Sequence, residues 1–222
     1  MMHSARTAAF TLMTAFAMLT APVFGQASAQ DAEAFVSENA QEVISTLQSL
    51  EAGEAQLDSV REQFRDKVQS LADMDRITNF VLGRYRRTAG EEELSQFRDT
   101  FREYAFSVYE NELTNYAGQE LEVTGSVTRR PGDHVVETIV TGGPEGEDYE
   151  VNWRVLEDDE GDLHVVDVQV MGIWLAQTQR EQITSVIGNH RGDVSAATEL
   201  LRSKLAEGDL PGAEDLEDAD SQ

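Results

Sequence analysis

The chain has 222 residues, with 17 Lys or Arg against 42 Asp or Glu, no cysteine and a formal net charge of −25. Hydrophobic residues make up 40%, enough to build a core, so a wholly disordered chain is excluded. This acidity excludes nucleic acid, whose phosphates need a basic face, and argues against an anionic membrane surface as the main partner; the missing thiols exclude disulfides, thiolate nucleophiles and Cys-ligated metals.

Residues 1–29 read as an export signal. Arg6 precedes the apolar stretch from Ala8 to Leu19, Pro22 and Gly25 break it, and Ala27-Ser28-Ala29 supplies the small-x-small pattern that signal peptidase accepts. The stretch is shorter than the roughly 20 apolar residues of a bilayer span, so it is read as cleaved rather than retained. The chain is expected to reach the periplasm as a domain covering 30–206, with an acidic, disordered tail over 207–222.

In the domain, Val36, Ala40, Val43, Leu47 and Leu50 recur at spacings of 4, 3, 4 and 3 and predict a helix that ends at Gly53. A capping box at Ser59-Val60-Arg61-Glu62 is expected to open a second helix carrying Val60, Phe64, Val68 and Leu71. A short third helix with Ile77, Phe80 and Val81 stops at Gly83. Thr88-Ala89-Gly90-Glu91 reads as another capping box, opening the longest helix, with an aromatic face of Leu94, Phe97, Phe101, Tyr104, Ala105, Val108, Leu113 and Tyr116.

After Gly118 the apolar period changes to 2. Leu121, Val123 and Val127 form one face of a strand, and Pro131-Gly132-Asp133 turns into a strand over Val135–Val140. Following the loop at 142–146, Tyr149, Val151, Trp153 and Val155 share a face. Asp158-Asp159-Glu160-Gly161 then turns the chain into a fourth strand, Leu163–Val170. Two more helices carry Leu175, Ile183, Val186 and Ile187, then Val194, Ala197, Leu200, Leu201 and Leu205. The expected fold class is α+β, a curved four-stranded antiparallel sheet covered by helices, with an apolar pocket between sheet and helices.

Catalytic signals are sparse. His134, His164 and His190 form no metal-ligand spacing, and no nucleophile elbow or phosphate loop occurs, so no metal, cofactor or catalytic residue is assigned. Asp158–Asp162 invites a calcium reading, but aligned on Gly161 the first ligand position is Leu156. One enzymatic alternative stays open, a small-molecule hydrolase or isomerase using Asp167 with Tyr85 or Tyr104; another is a non-catalytic acidic interaction protein. Arg84-Tyr85-Arg86-Arg87 is the one dense basic cluster, either a helix C-terminal complement or a contact for an anionic headgroup. Only Lys67 and Lys204 are lysines, and so acidic and Lys-poor a composition suits a salty medium.

Several segments together resemble the MlaC family, the toluene-tolerance or Mla-pathway proteins. They are Phe80-Val81-Leu82-Gly83-Arg84-Tyr85-Arg86-Arg87-Thr88, then Phe97–Tyr104, then Asp167-Val168-Gln169-Val170-Met171-Gly172-Ile173-Trp174-Leu175, with Arg180 and Leu200–Leu205 beyond. The resemblance runs from about Ala32 to Ala206. It implies a nuclear-transport-factor-like cone with a helical subdomain, and a monomeric, non-enzymatic periplasmic carrier. Such a carrier shuttles phospholipid between an outer-membrane lipoprotein-porin complex and an inner-membrane ABC transporter, maintaining outer-membrane lipid asymmetry.

On this reading the lipid is lined from the helices by Leu82, Tyr85, Phe97, Phe101 and Tyr104. The sheet and its exit contribute Val123, Val127, Val151, Trp153, Val168, Val170, Ile173 and Trp174, while Arg84, Arg86 and Arg87 are candidates for the headgroup. Two positions depart from the family pattern. Arg86 stands where an aromatic is usual, and Trp174 replaces a Ser, which removes a helix N-cap.

Overall fold

The computed structural model describes residues 26–53, 55–112, 118–142 and 146–208. Most of the expected signal segment, Leu113 and Tyr116 of the aromatic face, the centre of the 142–146 loop and nearly all of the acidic tail lie outside them.

The helices and strands follow in the order α1 (Ala29–Glu51), α2 (Leu57–Leu71), α3 (Met74–Leu82), a 3-10 helix (Gly83–Arg87), α4 (Glu91–Glu112), β1 (Glu120–Arg130), β2 (Asp133–Thr141), β3 (Tyr149–Glu157), β4 (Leu163–Val170), β5 (Ile173–Trp174), α5 (Leu175–Asn189) and α6 (Val194–Glu207). The strands form one antiparallel meander in the order β1-β2-β3-β4-β5. The sequence predicts four strands; the fifth is two residues long, formed where Met171-Gly172 folds Ile173 back against Val170. The far side of β4 is further closed by the link after α2, through the parallel bridge of Ala72 to Val165, so this edge is not left open.

Helix starts are where the sequence signals were misplaced. α1 opens on a capping box made by Ser28 and Asp31, the Asp31 carboxylate accepting from both the amide (2.8 Å) and the hydroxyl (2.7 Å) of Ser28. α2 begins at Leu57, two residues before the expected box, and Ser59 is an interior helical residue whose hydroxyl accepts from Gln63. At α4 the cap is Gly90, with Glu93 reaching back to its amide at 2.8 Å, while the Thr88 hydroxyl donates to the Tyr85 carbonyl of the preceding turn. Within the described residues α4 covers 22 residues, up to Glu112, and α1 covers 23.

Strand β1 carries an irregularity that changes what its side chains face. Val123 is opposite Thr138 but Gly125 is opposite Glu137, which leaves Thr124 as an extra residue. Alternation restarts after it. Leu121, Val123, Ser126 and Thr128 therefore share the face of Val136, Thr138, Val151, Trp153, Val168 and Val170, while Val127 stands on the other face opposite Val135.

The apolar interior is divided into three clusters. The largest joins α3, the 3-10 helix, α4, α5 and α6. A second packs Ala32, Phe35 and Val36 of α1 onto Val123, Val136, Trp153, Val155 and Leu163 of the sheet. A third holds α1 to α2 through Val43, Leu47, Val60 and Phe64. The aromatic face of α4 thus packs within the helical cluster, chiefly against α6, not against the sheet.

Candidate functional site

The sheet face shared with α1 carries Ser126, Thr128 and His134 near the β1–β2 turn and is mainly apolar from there toward β4, and α1 covers only part of it. Val136 and Val155, under the first turns of α1, are fully buried. Toward β4 the apolar side chains Trp153, Val168 and Val170 are half-buried, although Val168 is opposite Trp153 and Val170 opposite Val151 in the ladder.

The polar atoms on this face are already occupied. The Trp153 indole N–H donates to the Thr138 hydroxyl at 3.1 Å, and that hydroxyl donates to the Val151 carbonyl. A buried hydroxyl that both accepts and donates leaves no free donor facing the apolar surface. Thr138 was not singled out by sequence reasoning. Its signal was a lone Thr in a β-branched strand, where a hydroxyl is usually read as solvent-facing.

The expected lipid-lining residues separate into three groups. Val123, Val151, Trp153, Val168 and Val170 come together on the inner face, with Ile173 and Trp174 following as β5, both half-buried. Leu82, Tyr85, Phe97, Phe101 and Tyr104 are all buried in the helical cluster, where the Phe97 and Phe101 rings stack at 5.8 Å. They fill a core instead of facing the sheet, because the apolar stripe of Ala197, Leu201 and Leu205 on α6 takes their surface. Val127 belongs to neither group: it is 52% exposed on the outer face, moved there by the extra Thr124.

Of the enzymatic alternative, the combination of Asp167 with Tyr85 is not brought together. Asp167 accepts from the backbone amides of Ala176 (2.8 Å) and Val168 (2.9 Å) at the start of α5. The Tyr85 hydroxyl accepts from Arg84 at 2.8 Å and lies where a Cβ on Gly188 would meet it, near the other end of α5. Twelve residues of helix put those ends about 18 Å apart. Tyr104 sits in the same helical cluster as Tyr85. Burial pushes the Asp167 carboxyl above its ordinary range, against the two amide hydrogen bonds and the charge of Arg154. Its role is to cap α5: Trp174 at the N-cap makes no side-chain bond, and Asp167 supplies the missing acceptor from the neighbouring strand.

The outer face is polar. Asp133, 4% exposed in its side chain, receives both nitrogens of a bidentate fork from Arg154 (3.1 and 3.0 Å) and a third contact from Arg130 at 3.1 Å. The would-be calcium loop is a hairpin turn whose Asp158 accepts from the amides of Glu160 and Asp162 and from His164 Nε2. Among the described residues no group of three or more His, Asp or Glu is placed to hold a metal, and no helix is long and apolar enough to cross a membrane.

Two clefts indent the helical layers. One, about 320 Å³, lies over the Val43–Leu47–Val60–Phe64 contact of α1 and α2. The other, about 670 Å³, is lined by α3, the 3-10 helix and Arg180 of α5, and gathers Arg84, Arg86 and Arg87 with Arg76. It contains no residue of the sheet, so the expected headgroup arginines stand apart from the inner face. Arg180 joins them from 93 residues beyond Arg87, a distance over which spacing carries no signal.

Comparison with known proteins agrees with this architecture. Residues 37–203 match the family model described as MlaC protein. Among curated proteins none matches the chain. Among solved structures, a phospholipid-binding protein from Ralstonia solanacearum, in complex with a phospholipid, superposes with a TM-score of 0.69 at 25% identity, covering 79% of this chain and 97% of its own. A match across three quarters of the sequence, on a fold of sheet and helices in the expected order, places this chain in the MlaC family.

Proposed function

We propose that this protein is a non-enzymatic phospholipid carrier that holds acyl chains against the inner face of its sheet. The observation that carries the reading is the half-buried apolar surface of Trp153, Val168 and Val170, on a face whose polar atoms are already satisfied. Each methylene removed from water is worth roughly 0.8 kcal/mol, so a dozen of them against such a surface contribute about 10 kcal/mol. A phosphate headgroup left in solvent then needs no dedicated polar site. The phospholipid in the R. solanacearum relative and the family membership support the same conclusion.

The export signal over 1–29 and the family resemblance support a periplasmic location. There the loaded carrier would pass lipid between an outer-membrane lipoprotein-porin complex and an inner-membrane ABC transporter. Its net charge of −25 keeps it off anionic bilayers and leaves transfer to docking with protein partners.

Native mass spectrometry of the protein purified without detergent from a bacterial periplasm tests the carrier role. A near-stoichiometric phospholipid adduct is expected; a clean apo mass that resists loading overturns it. Two single substitutions test the face. Val168→Asp places a charge on the inner side and should abolish the adduct, whereas Val127→Asp on the outer side should leave it unchanged. Equal lipid content in the two folded variants would remove the inner face from the reading.

A further inference from the structure

Ala27 and Ser28 precede the cut expected after Ala29, yet both belong to the folded domain. His134 is 2% exposed near the β1–β2 turn, and both of its ring nitrogens are taken. Nδ1 lies 3.0 Å from the Thr128 hydroxyl and Nε2 lies 3.1 Å from the Ala27 carbonyl. A carbonyl can only accept, so Nε2 donates. The Ala27 amide in turn donates to the Glu157 carboxylate at 2.8 Å. One residue thus ties the chain ahead of α1 to β2 and β3, 107 and 130 positions away.

The next residue starts the helix. Besides forming the capping box with Asp31, Ser28 accepts at its carbonyl from the Ala32 amide at 3.1 Å. Its amide, then its hydroxyl, hold the Asp31 carboxyl below the ordinary range. Ala32 and Val36, the buried residues that α1 lays on the sheet, follow directly.

A cut after Ala29 would remove all of this. The His134 N–H would lose its carbonyl and α1 its cap, and a new α-ammonium would stand in the first turn of α1, where the dipole disfavours a cation. Gly25-Gln26-Ala27 also has the small-x-small form, but a cut after Ala27 would lose both contacts of that residue. The sequence offers an earlier position. Val23-Phe24-Gly25 puts a short aliphatic residue and a glycine at the two places the peptidase reads, six residues beyond Leu19 against ten for Ala29.

We propose that export processing falls after Gly25, so that the mature chain begins at Gln26 and keeps Ala27 and Ser28 as a clasp that starts α1 on the sheet. The inference rests on the export reading above and shortens the signal from 1–29 to 1–25. Water adds across the Gly25–Gln26 peptide bond, leaving a carboxylate on Gly25 and an α-amine on Gln26. If that amine attacks its own side-chain amide carbon, the ring closes and ammonia leaves.

The full precursor, expressed with its own leader in a Gram-negative host, supplies the test through the intact mass and N-terminal peptide of its product. A chain beginning at Gln26 is expected, with or without the loss of one ammonia. A start at Ser28 or Gln30 overturns the proposal and leaves export standing, whereas an uncut chain from Met1 overturns both. Ala29→Leu spoils the later cut and should still be processed to the Gln26 start; failure to process this variant overturns the proposal. Hydrogen exchange reads the clasp separately. The Ala27 and Ser28 amides of the purified product should exchange at least about tenfold more slowly than in an unstructured peptide. Exchange at the peptide rate would show that the fold does not use these residues, which also overturns the proposal.

Discussion

Asp133 and Asp167 stand on the same outer sheet face, yet their surroundings act on them in opposite directions. Burial alone would raise the Asp133 carboxyl, but the fork from Arg154, with the charges of Arg130 and Arg129, outweighs it and holds the group below its ordinary range. A carboxylate depressed by folding contributes stability above its unfolded value, near 3.9, and that stability is lost as pH falls through the folded value. Asp133→Ala should cost about 3 kcal/mol or more in urea unfolding at neutral pH, because it strands Arg154. Asp167 has the opposite sign. Its carboxyl is raised, so it weakens the fold at neutral pH and ceases to do so as pH falls through its folded value. Asp167→Asn should equal or exceed the wild type in stability at neutral pH, and that advantage should disappear in acid. Gly83 is the other exacting position. Its φ of 57° and ψ of −126° suit only glycine, and a Cβ there would stand 3.2 Å from an Arg180 nitrogen. Gly83→Ala is expected to lose on the order of 1–3 kcal/mol and to move Arg180 out of the cleft.

At the scale of elements, one bulge and one borrowed cap decide how the sheet meets the helices. Asp167→Ala removes the acceptor for the Ala176 amide and should lower stability by about 1 kcal/mol, a fall of about 2–4 °C in Tm by calorimetry. The element order was legible in the sequence because each stripe kept its own period, 3.6 for α1 to α6 and 2 for β1 to β4. The side that each element presents was less legible. A single extra residue, Thr124, reverses everything after it, so Val127 read as inward and lies outward. Likewise the aromatic residues of α4 advertised an apolar surface without naming its partner, and α6, remote in sequence, proved to be that partner. Capping boxes misled where a second acceptor did the same work, as Gly90 with Glu93 does at α4. The five inner-face residues Val123, Val151, Trp153, Val168 and Val170 were readable because that stretch of sheet alternates cleanly.

Across the whole molecule, charge is the dominant feature. With 42 acidic residues against 17 basic ones, the folded chain repels itself. Many ion pairs lie at the surface, as between Arg65 and Glu103, and contribute little. Added NaCl should therefore raise the melting temperature and the solubility of this protein up to the molar range, by screening more repulsion than attraction. A melting temperature that falls steadily with salt would show that the paired arginines dominate instead. The division of the interior into three apolar clusters has a thermodynamic counterpart: the α1–sheet contact and the helical cluster bury separate sets of side chains. A ligand lying along the inner face would protect the sheet cluster more than the helical one.

One tryptophan of the chain, Trp153, falls on this inner face, hydrogen-bonded to Thr138, while Trp174 in β5 stands opposite Gln169 on the other face. The Trp153 indole is half-buried, so water still reaches part of the ring. An acyl chain settling there would displace that water and shift ultraviolet emission to shorter wavelength, with no dye attached. The protein thereby carries a built-in optical gauge of its own cargo, by which the hand-over of a lipid from one carrier to the next can be timed in a stopped-flow cell.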